Sequence, residues 1–301
     1  MGKKVLIIGS DGYIGSRLYD CLIANNIETD GVDIGWFGIV NEKTLVVDYN
    51  SLSKEYINSY THIILLAGHS SVSMCNNNDI SCHQNNVNNF LNLLDKLNND
   101  QTLIYASSLA IYGSSNKVVT EHDSFPKATN MYDYSLSARE HLVDIYNKNT
   151  IGLRFGSVSG FSKNFRGENL VNSITYNALT SNKITISNPS LMRALLGLND
   201  LCNAILCLIN SNISGNEIYN LSSINKSIIE FGQVIQSLTG SELVINDSFK
   251  TGYSFQSSSD LFIKKFNFTF NDTIESIFNE IKNNLSNIQF NVKRIETPYY
   301  V

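Results

Sequence analysis

A glycine-rich segment near the start of the chain has residue types that suit phosphate binding. Glycines recur at Gly9, Gly12 and Gly15, directly after the apolar run Val5-Leu6-Ile7-Ile8 and before a stretch with apolar residues on one helical side. Glycine lets the backbone turn sharply, and the N-terminus of a following helix directs free N–H groups and a positive dipole end at a phosphate. An ordinary strand–helix turn is the alternative, but the position of these glycines at the first strand favours dinucleotide binding.

An acidic residue follows at the spacing that dinucleotide binding requires. The segment Glu28-Thr29-Asp30-Gly31-Val32-Asp33 predicts a second strand, which ends in an acid eighteen residues after Gly15. A carboxylate there can accept hydrogen bonds from both ribose hydroxyls of an adenosine. Because it would repel a 2′-phosphate and no arginine follows closely, NAD is favoured over NADP. A solvent-facing aspartate at a strand end is the alternative.

Small and polar residues follow the next predicted strands. The strand over residues 44–47 ends in Asp48, which could meet an adenine amino group or, equally, cap a helix near Ser51. The strand over residues 63–66 runs into small residues that would let a cofactor pass, and the strand over residues 102–105 leads to Ser107 and Ser108. Hydroxyls at the carboxyl end of a central strand lie where open α/β sheets bind ligands.

The elements that position these residues alternate between strand and helix through the first half of the chain, which indicates βαβ units and a parallel sheet. After residue 157 the composition changes to polar loops and shorter elements. The sequence therefore predicts an α/β protein with a Rossmann-type doubly wound parallel sheet and a smaller α/β substrate-binding domain. The NAD-binding domain is expected over residues 1–157, with a return segment near 191–224, and the smaller domain over residues 158–301.

Composition excludes some classes of function. The chain has 301 residues and a net charge of -5, which provides no cationic surface for nucleic acid. Its five cysteines show no pairing pattern and indicate reduced thiols, and His69, Cys75, Cys82 and His83 lack structural-zinc spacing, so no metal is expected. With neither a signal peptide nor an apolar run of membrane-spanning length, the protein is expected to be soluble and cytoplasmic, without a membrane partner.

The order and spacing of these motifs resemble the extended short-chain dehydrogenase/reductase family, in particular its branch of nucleotide-sugar epimerases, dehydratases and reductases. The resemblance covers most of the chain and fades in about the last fifteen residues, where the segment 294–301 has no counterpart. It implies NAD as the cofactor, a nucleoside-diphosphate sugar as the substrate, and a homodimer that pairs through helices.

The resemblance also assigns roles to individual residues. Cofactor contacts fall on Gly9, Gly12, Tyr13, Ile14, Gly15, Asp33, Asp48, Tyr49, Leu66, Ala67, Gly68, Asn86, Ala106 and Tyr134. Substrate contacts fall on Ser108, Arg166, Asn172, Arg193 and Tyr253, and the catalytic roles on Ser108 and Tyr134. A tyrosine phenol can exchange a proton with a sugar hydroxyl as hydride moves, while a serine hydroxyl holds the sugar oxygen.

One part of the family's catalytic set is missing. The family has a lysine four residues after the tyrosine, where its charge lowers the tyrosine pKa, but that position here is Ala138. The adjacent Arg139 is turned by about 100° around the helix. A tyrosine with a pKa of ~10 is ionised in roughly one molecule per thousand at pH 7, a deficit of about 4 kcal/mol. Three explanations stay open: an engineered inactive variant, use of Arg139 or another cation, or a family member with little turnover.

The expected reaction can be narrowed. The family's dehydratases carry an Asp-Glu pair after the active-site hydroxyl, whereas this chain has Leu109-Ala110, which cannot move protons. The sequence thus predicts an NAD-dependent nucleotide-sugar oxidoreductase or epimerase that transfers hydride at a ring hydroxyl, with C4 as the family's usual carbon. The alternative is an NAD-binding sensor or scaffold with little or no catalysis.

Overall fold

The computed structural model describes residues 2–146, 148–246 and 252–289. Tyr253, which the resemblance assigns to the substrate, is among the described residues, whereas the segment 294–301 lies outside them. The strands are β1 (Lys4–Ile8), β2 (Glu28–Asp33), β3 (Leu45–Val46), β4 (His62–Leu65), β5 (Thr102–Ser108), β6 (Val118–Val119), β7 (Asn149–Phe155), β8 (Ser157–Ser159), β9 (Lys183–Ser187), β10 (Met192–Gly197), β11 (Asn216–Leu221), β12 (Ile224–Ser227), β13 (Glu242–Asn246) and β14 (Gln256–Ser257).

Helices connect most of these strands. They are α1 (Tyr13–Ala24), α2 (Lys54–Ile57), α3 (Val72–Asn77), α4 (Asp79–His83), α5 (Asn89–Lys96), α6 (Met131–Ile145), α7 (Leu170–Ser181), α8 (Leu198–Ile209), α9 (Ile228–Thr239), α10 (Asp260–Phe266) and α11 (Ile274–Asn283). A π-helical turn at Gln84–Asn88 leads into α5, and 3-10 turns lie at Tyr49–Ser51, Leu109–Tyr112 and Leu285–Asn287.

The main sheet has the order β11-β7-β5-β4-β1-β2-β3, and all of its strand pairs are parallel. The chain builds outward from β1 to β3 on one side, then crosses over and builds from β4 to β11 on the other. The crevice between the carboxyl ends of β1 and β4 is therefore the switch point where such sheets bind ligands. This topology confirms the predicted doubly wound α/β fold.

Apolar packing on both faces of this sheet explains why β1 is a continuous apolar run. Leu18 and Leu201 belong to the cluster on one face, and Phe90 and Leu94 to the cluster on the other. A third cluster packs α7, α9 and α11 against the smaller sheets. The boundary predicted at residue 157 stays a prediction, although β11 returns to the main sheet from beyond it.

A disulfide bond corrects the prediction of reduced thiols. Cys75 and Cys82 are bonded, while Cys21, Cys202 and Cys207 are free. The chain turns between α3 and α4 at Asn78, which brings the two Cα atoms to 5.0 Å. A separation of seven residues alone does not reveal that turn. Among the described residues, no helix is both long enough and apolar enough to cross a membrane.

Candidate active site

A cleft of about 800 Å³ opens over the carboxyl ends of β1, β2 and β4. Its volume falls in the range of roughly 300–1,000 Å³ that small-molecule sites occupy. Most of the residues assigned to the cofactor line it, namely Gly9, Gly12, Tyr13, Ile14, Gly15, Asp33, Asp48, Tyr49, Leu66, Ala67 and Gly68. Its walls also include Trp36, Phe37 and His69.

The glycine turn forms a cradle that side chains would fill. Gly9 has a φ of +91°, and a Cβ atom on Gly15 would lie 1.9 Å from the carbonyl oxygen of Gly9. Gly12 is the N-cap of α1 and, being a glycine, has no side chain that could cap the helix. The first N–H groups of a twelve-residue helix thus begin at the floor of the cleft, which suits a pyrophosphate.

Two acids lie at the edge of the cleft. Asp33 accepts backbone hydrogen bonds from Asp11 at 3.0 Å and from Gly35 at 2.8 Å, one on each oxygen, and retains acceptor capacity for hydroxyl groups. Burial raises the pKa of Asp33, and these backbone donors oppose the rise. Asp48 accepts from the Asn50 N–H at 2.8 Å, so it caps the following turn while also lining the cleft.

A smaller cavity of about 200 Å³ adjoins the cleft. The two share wall residues, namely Tyr13, Ile14, Leu66, Ala67, Gly68, His69, Ser70 and Arg166. The smaller cavity reaches Ala106 and Ser108 at the end of β5, as well as Tyr132, Leu136 and Arg139 on α6. It is the place where a catalytic hydroxyl pair would meet a ligand that extends from the cleft.

Tyr132, and not Tyr134, lies in this cavity beside Ser108. Tyr132 is partly buried and its phenol interacts with the Ser108 side chain, whereas Tyr134 is 46 % exposed and stacks on His83 at a centroid distance of 6.0 Å. Two residues span about 200° of an α-helix, so only one of these tyrosines can face the sheet. This placement corrects the assignment of Tyr134 to catalysis and to the cofactor.

The shift in helix position also changes which residue stands where the family has lysine. Counted from Tyr132, the position of the family's lysine falls on Leu136, which lines the same cavity, rather than on Ala138. Arg139 follows Tyr132 by seven residues and therefore lies on the same helix face. It is 2 % exposed and donates to the Asn86 carbonyl from Nε at 2.6 Å and to the Asn86 Oδ1 from Nη2 at 3.2 Å.

Burial dominates the proton affinity of Tyr132. Burial raises the pKa of the phenol, and the charge of Asp133 raises it further. The interaction with Ser108 and the charges of Arg166 and Arg139 lower the pKa and so oppose this rise. Burial and the nearby Arg139 also lower the pKa of His69, which lies in the wall of both cavities, and so favour the neutral form of its ring.

Asn86 supports the site from behind and does not line either cavity. It is fully buried, its Oδ1 accepts from the His69 N–H at 2.8 Å, and its Nδ2 donates to the Ser135 hydroxyl at 3.0 Å. Gly68 makes room for this network, since a Cβ atom there would lie 2.5 Å from Asn86 Oδ1 and 2.9 Å from Arg139 Nη2. In the structure Asn86 therefore has a supporting position, and its contact with the cofactor stays a prediction.

The residues assigned to substrate separate in the structure. Arg166 lines both cavities, pairs with Glu168 at 2.7 Å and donates to the Ser70 hydroxyl at 3.1 Å. Asn172 is fully buried because α7 turns it inward. Its Oδ1 accepts a hydrogen bond from the Gly160 N–H, and its Nδ2 donates to the Tyr13 hydroxyl and to the Arg166 carbonyl.

Arg193 and Tyr253 are not in the walls of these two cavities. Arg193 lies at the start of β10, donates to the Met192 carbonyl at 3.1 Å, and has its pKa lowered by burial. The Tyr253 hydroxyl donates to Asp133 at the start of α6. The structure thus brings Arg166 to the site and leaves Asn172, Arg193 and Tyr253 in supporting or separate positions.

Sequence reasoning missed several wall residues of the smaller cavity, among them Tyr132 and Asn169. The signal for Tyr132 was the phase of α6, because Ser135, Leu136, Arg139 and Val143 form its buried face and Tyr132 precedes them by one turn. Asn169 is the N-cap of α7 and lines the cavity beside Arg166.

Comparison with known proteins identifies related chains. Residues 5–222 match the profile described as the NAD dependent epimerase/dehydratase family. Protein CapI of Staphylococcus aureus is 29% identical over 182 residues, which is 52% of this chain and 54% of that protein. UDP-glucuronate 4-epimerase 4 of Arabidopsis thaliana is 26% identical over 185 residues, 53% of this chain and 42% of that protein. The matches thus span about half the length of these two relatives.

Similarity of fold extends further than similarity of sequence. The solved structure of MoeE5 in complex with UDP-glucuronic acid and NAD aligns with a TM-score of 0.84 at 18% identity, covering 95% of this chain and 100% of that one. At this level of identity the likeness is one of fold. Since the matched family is NAD-dependent by its description, the prediction of NAD as the cofactor is confirmed for the family.

Proposed function

Because the chain belongs to the NAD-dependent epimerase/dehydratase family, we propose that it is a nucleotide-sugar epimerase or oxidoreductase acting at a ring hydroxyl, with C4 the expected carbon. The observation that carries this proposal is the meeting of Ser108 and Tyr132 in a small cavity that adjoins the larger cleft.

The larger cleft is assigned to NAD by its residues. The backbone of the glycine turn and the start of α1 would hold the pyrophosphate, and Asp33 would accept from the ribose hydroxyls. Leu66, Ala67 and Gly68 would let the cofactor pass from β1 to β4. Bound there, NAD supplies the acceptor and donor of hydride.

The two hydroxyls divide the proton chemistry. Tyr132 would take the proton of the sugar hydroxyl when the sugar is oxidised and return it when the sugar is reduced. The Ser108 hydroxyl, which also accepts from the Ala110 N–H at 3.1 Å, is held in place to orient the sugar oxygen. Leu109 and Ala110 follow where a dehydratase needs an acid and a base, so epimerisation or net redox is favoured over loss of water.

Arg166 and Asn169 are proposed for the nucleoside-diphosphate side of the substrate. Both line the smaller cavity, and Asn169 begins α7, whose first turn forms no side-chain capping hydrogen bond. An arginine fork and a helix N-terminus are suited to diphosphate oxygens. Arg193 and Tyr253 stay proposals for the more distant nucleotide contacts.

The test is a panel of nucleotide sugars that includes UDP-glucose and UDP-glucuronate, since relatives carry these sugars in their names. We expect isomerised or oxidised product by chromatography and NMR, together with NAD binding by calorimetry. The Tyr132→Phe variant serves as the inactive control. Absence of NAD binding would overturn the proposal.

A second function is favoured by one observation. Neither Leu136 nor Ala138 provides the lysine of the family, as expected of an NAD-binding sensor or scaffold with little turnover. Binding of NAD without conversion of any sugar in the panel would support this second function against the first.

A further inference from the structure

We infer that Arg139 supplies the positive charge that favours the ionised form of the Tyr132 phenol, in place of a lysine one turn after the tyrosine. This inference rests on the proposed function, because it assigns Arg139 as a positioning residue for the same site. This role of Arg139 explains how a chain with leucine at the position of the family's lysine could still transfer a proton through a tyrosine.

The first observation is the placement of the two side chains. Tyr132 and Arg139 are seven residues apart on α6 and line the same cavity of about 200 Å³. Leu136 lies between them on that face and contributes no charge. The cation has thus moved by about one helical turn, and an arginine is long enough to extend along the helix face toward the cavity.

The second observation is that the charge of Arg139 has no acidic partner. Its hydrogen bonds go to uncharged oxygens: the carbonyl and side-chain oxygens of Asn86 and the carbonyl of Ala106. No ion pair of the described residues includes it. The guanidinium also lies over the Phe90 ring, 5.5 Å from its centre, a contact that does not neutralise the charge. A buried cation without an acidic partner is costly for stability, so its presence is explained if it serves a group that becomes negative.

The third observation concerns the surrounding ionisable groups. Tyr49, Tyr105 and Tyr132 are the groups whose charges act on Arg139, and of these Tyr132 lines the smaller cavity. Burial is the dominant influence on Arg139 and lowers its pKa, which an ionised phenol nearby would counteract.

The charged and titratable groups that face Tyr132 are few. Asp133 is on its own helix and accepts from Tyr253, while Arg166, His69 and Tyr13 line the same cavity from other elements. Arg166 also favours the ionised phenol, but its charge is offset by Glu168 at 2.7 Å. Arg139 is therefore the cation left uncompensated at this site among the described residues.

The test is a titration of the protein without cofactor or substrate. A fluorotyrosine placed at position 132 by genetic-code expansion reports its own ionisation by fluorine NMR. We expect Arg139→Gln, which keeps a donor for the Asn86 carbonyl but removes the charge, to raise the titration midpoint by about one pH unit or more. Arg139→Lys should retain most of the wild-type midpoint.

A rescue variant separates charge from structure. Adding Leu136→Lys to Arg139→Gln returns a cation to the cavity one turn earlier and should lower the midpoint again. An unchanged midpoint in Arg139→Gln, with folding intact by circular dichroism, would overturn the inference. If Arg139→Gln does not fold, Arg139→Met, which keeps the aliphatic stem and removes the charge, decides: a raised midpoint supports the inference, and an unchanged one overturns it.

Binding of NAD by calorimetry, measured on the same variants, keeps the two proposals distinct. If the wild-type protein does not bind NAD, the proposed function is overturned. An unchanged phenol titration with NAD binding intact would overturn only the role of Arg139.

Discussion

Two tyrosines on one helix differ in what they can do because they face opposite directions. Tyr132 points to the end of β5 and meets Ser108, while Tyr134 points to solvent and stacks on His83. We expect Tyr132→Phe to lower kcat by about 10²–10⁴-fold, the contribution typical of a positioned acid or base. Tyr134→Phe is the matched control and should retain nearly full activity. Equal losses in the two variants would contradict this assignment.

A histidine in the main sheet predicts a pH dependence of stability. Burial and the charge of Lys3 lower the pKa of His62 from 6.5 to about 4. Between these values the unfolded chain binds more protons than the folded one, so the free energy of unfolding falls as the pH is lowered through this window. His69 acts in the same direction, since its pKa is also lowered.

The variant His62→Gln isolates the first histidine. Between pH 6.5 and pH 4, we expect the free energy of unfolding of this variant to fall by about 1 kcal/mol less than that of the wild-type protein. This figure is discounted because the His62 side chain is partly exposed to solvent. Denaturant unfolding at a series of pH values measures the difference. Parallel curves for the two proteins would show that His62 takes up its proton equally well in the folded state.

At the scale of elements, the first turn of α1 depends on the absence of a side chain. A Cβ atom on Gly15 would lie 1.9 Å from the Gly9 carbonyl oxygen, so Gly15→Ala must displace the start of the helix. Because charge-assisted hydrogen bonds to phosphate are worth about 1.5–3 kcal/mol each, we expect NAD affinity to fall roughly 10- to 100-fold by calorimetry.

Gly240→Ala is the control for this loss. Gly240 has a φ of +73° with open space around it at the end of α9, so alanine strains the backbone without touching the cleft. It should lower the melting temperature but leave NAD affinity unchanged. A Gly15→Ala protein that binds NAD normally would show that the glycine turn is not the pyrophosphate site.

At the scale of the whole molecule, we propose that two copies pair through helices. The outer face of α6 presents Tyr134, His141 and Ile145, which are seven and then four residues apart and so form one stripe. Ile145 is 76% exposed, an unusual position for a large apolar side chain on a helix.

Sedimentation velocity measures this pairing directly. We expect the wild-type protein to sediment as two chains and Ile145→Lys to shift it toward one. Ile245→Lys places the same charge on an exposed isoleucine of β13 and should leave the mass unchanged. A wild-type protein that sediments as a single chain would contradict the pairing.

Much of this protein is determined by features that are close together along the chain. The apolar run of β1, the glycine spacing after it and the acid at the end of β2 predicted the doubly wound fold and the residues around the cleft. They could do so because the turn between a strand and the next helix is set by local backbone geometry, and the period of apolar residues reports burial.

Tertiary structure alone decided the remaining features, which depend on contacts between distant segments. The Cys75–Cys82 bond requires the turn between α3 and α4, and the Arg139 guanidinium reaches Asn86 across 53 positions of sequence. Tyr132 and Tyr134 are only two residues apart, and the packing of α6 against the end of β5 decides which of them lies beside Ser108. Two residues of helix rotate a side chain by about 200°, so the chemistry of this site is decided by which face of one helix meets the sheet.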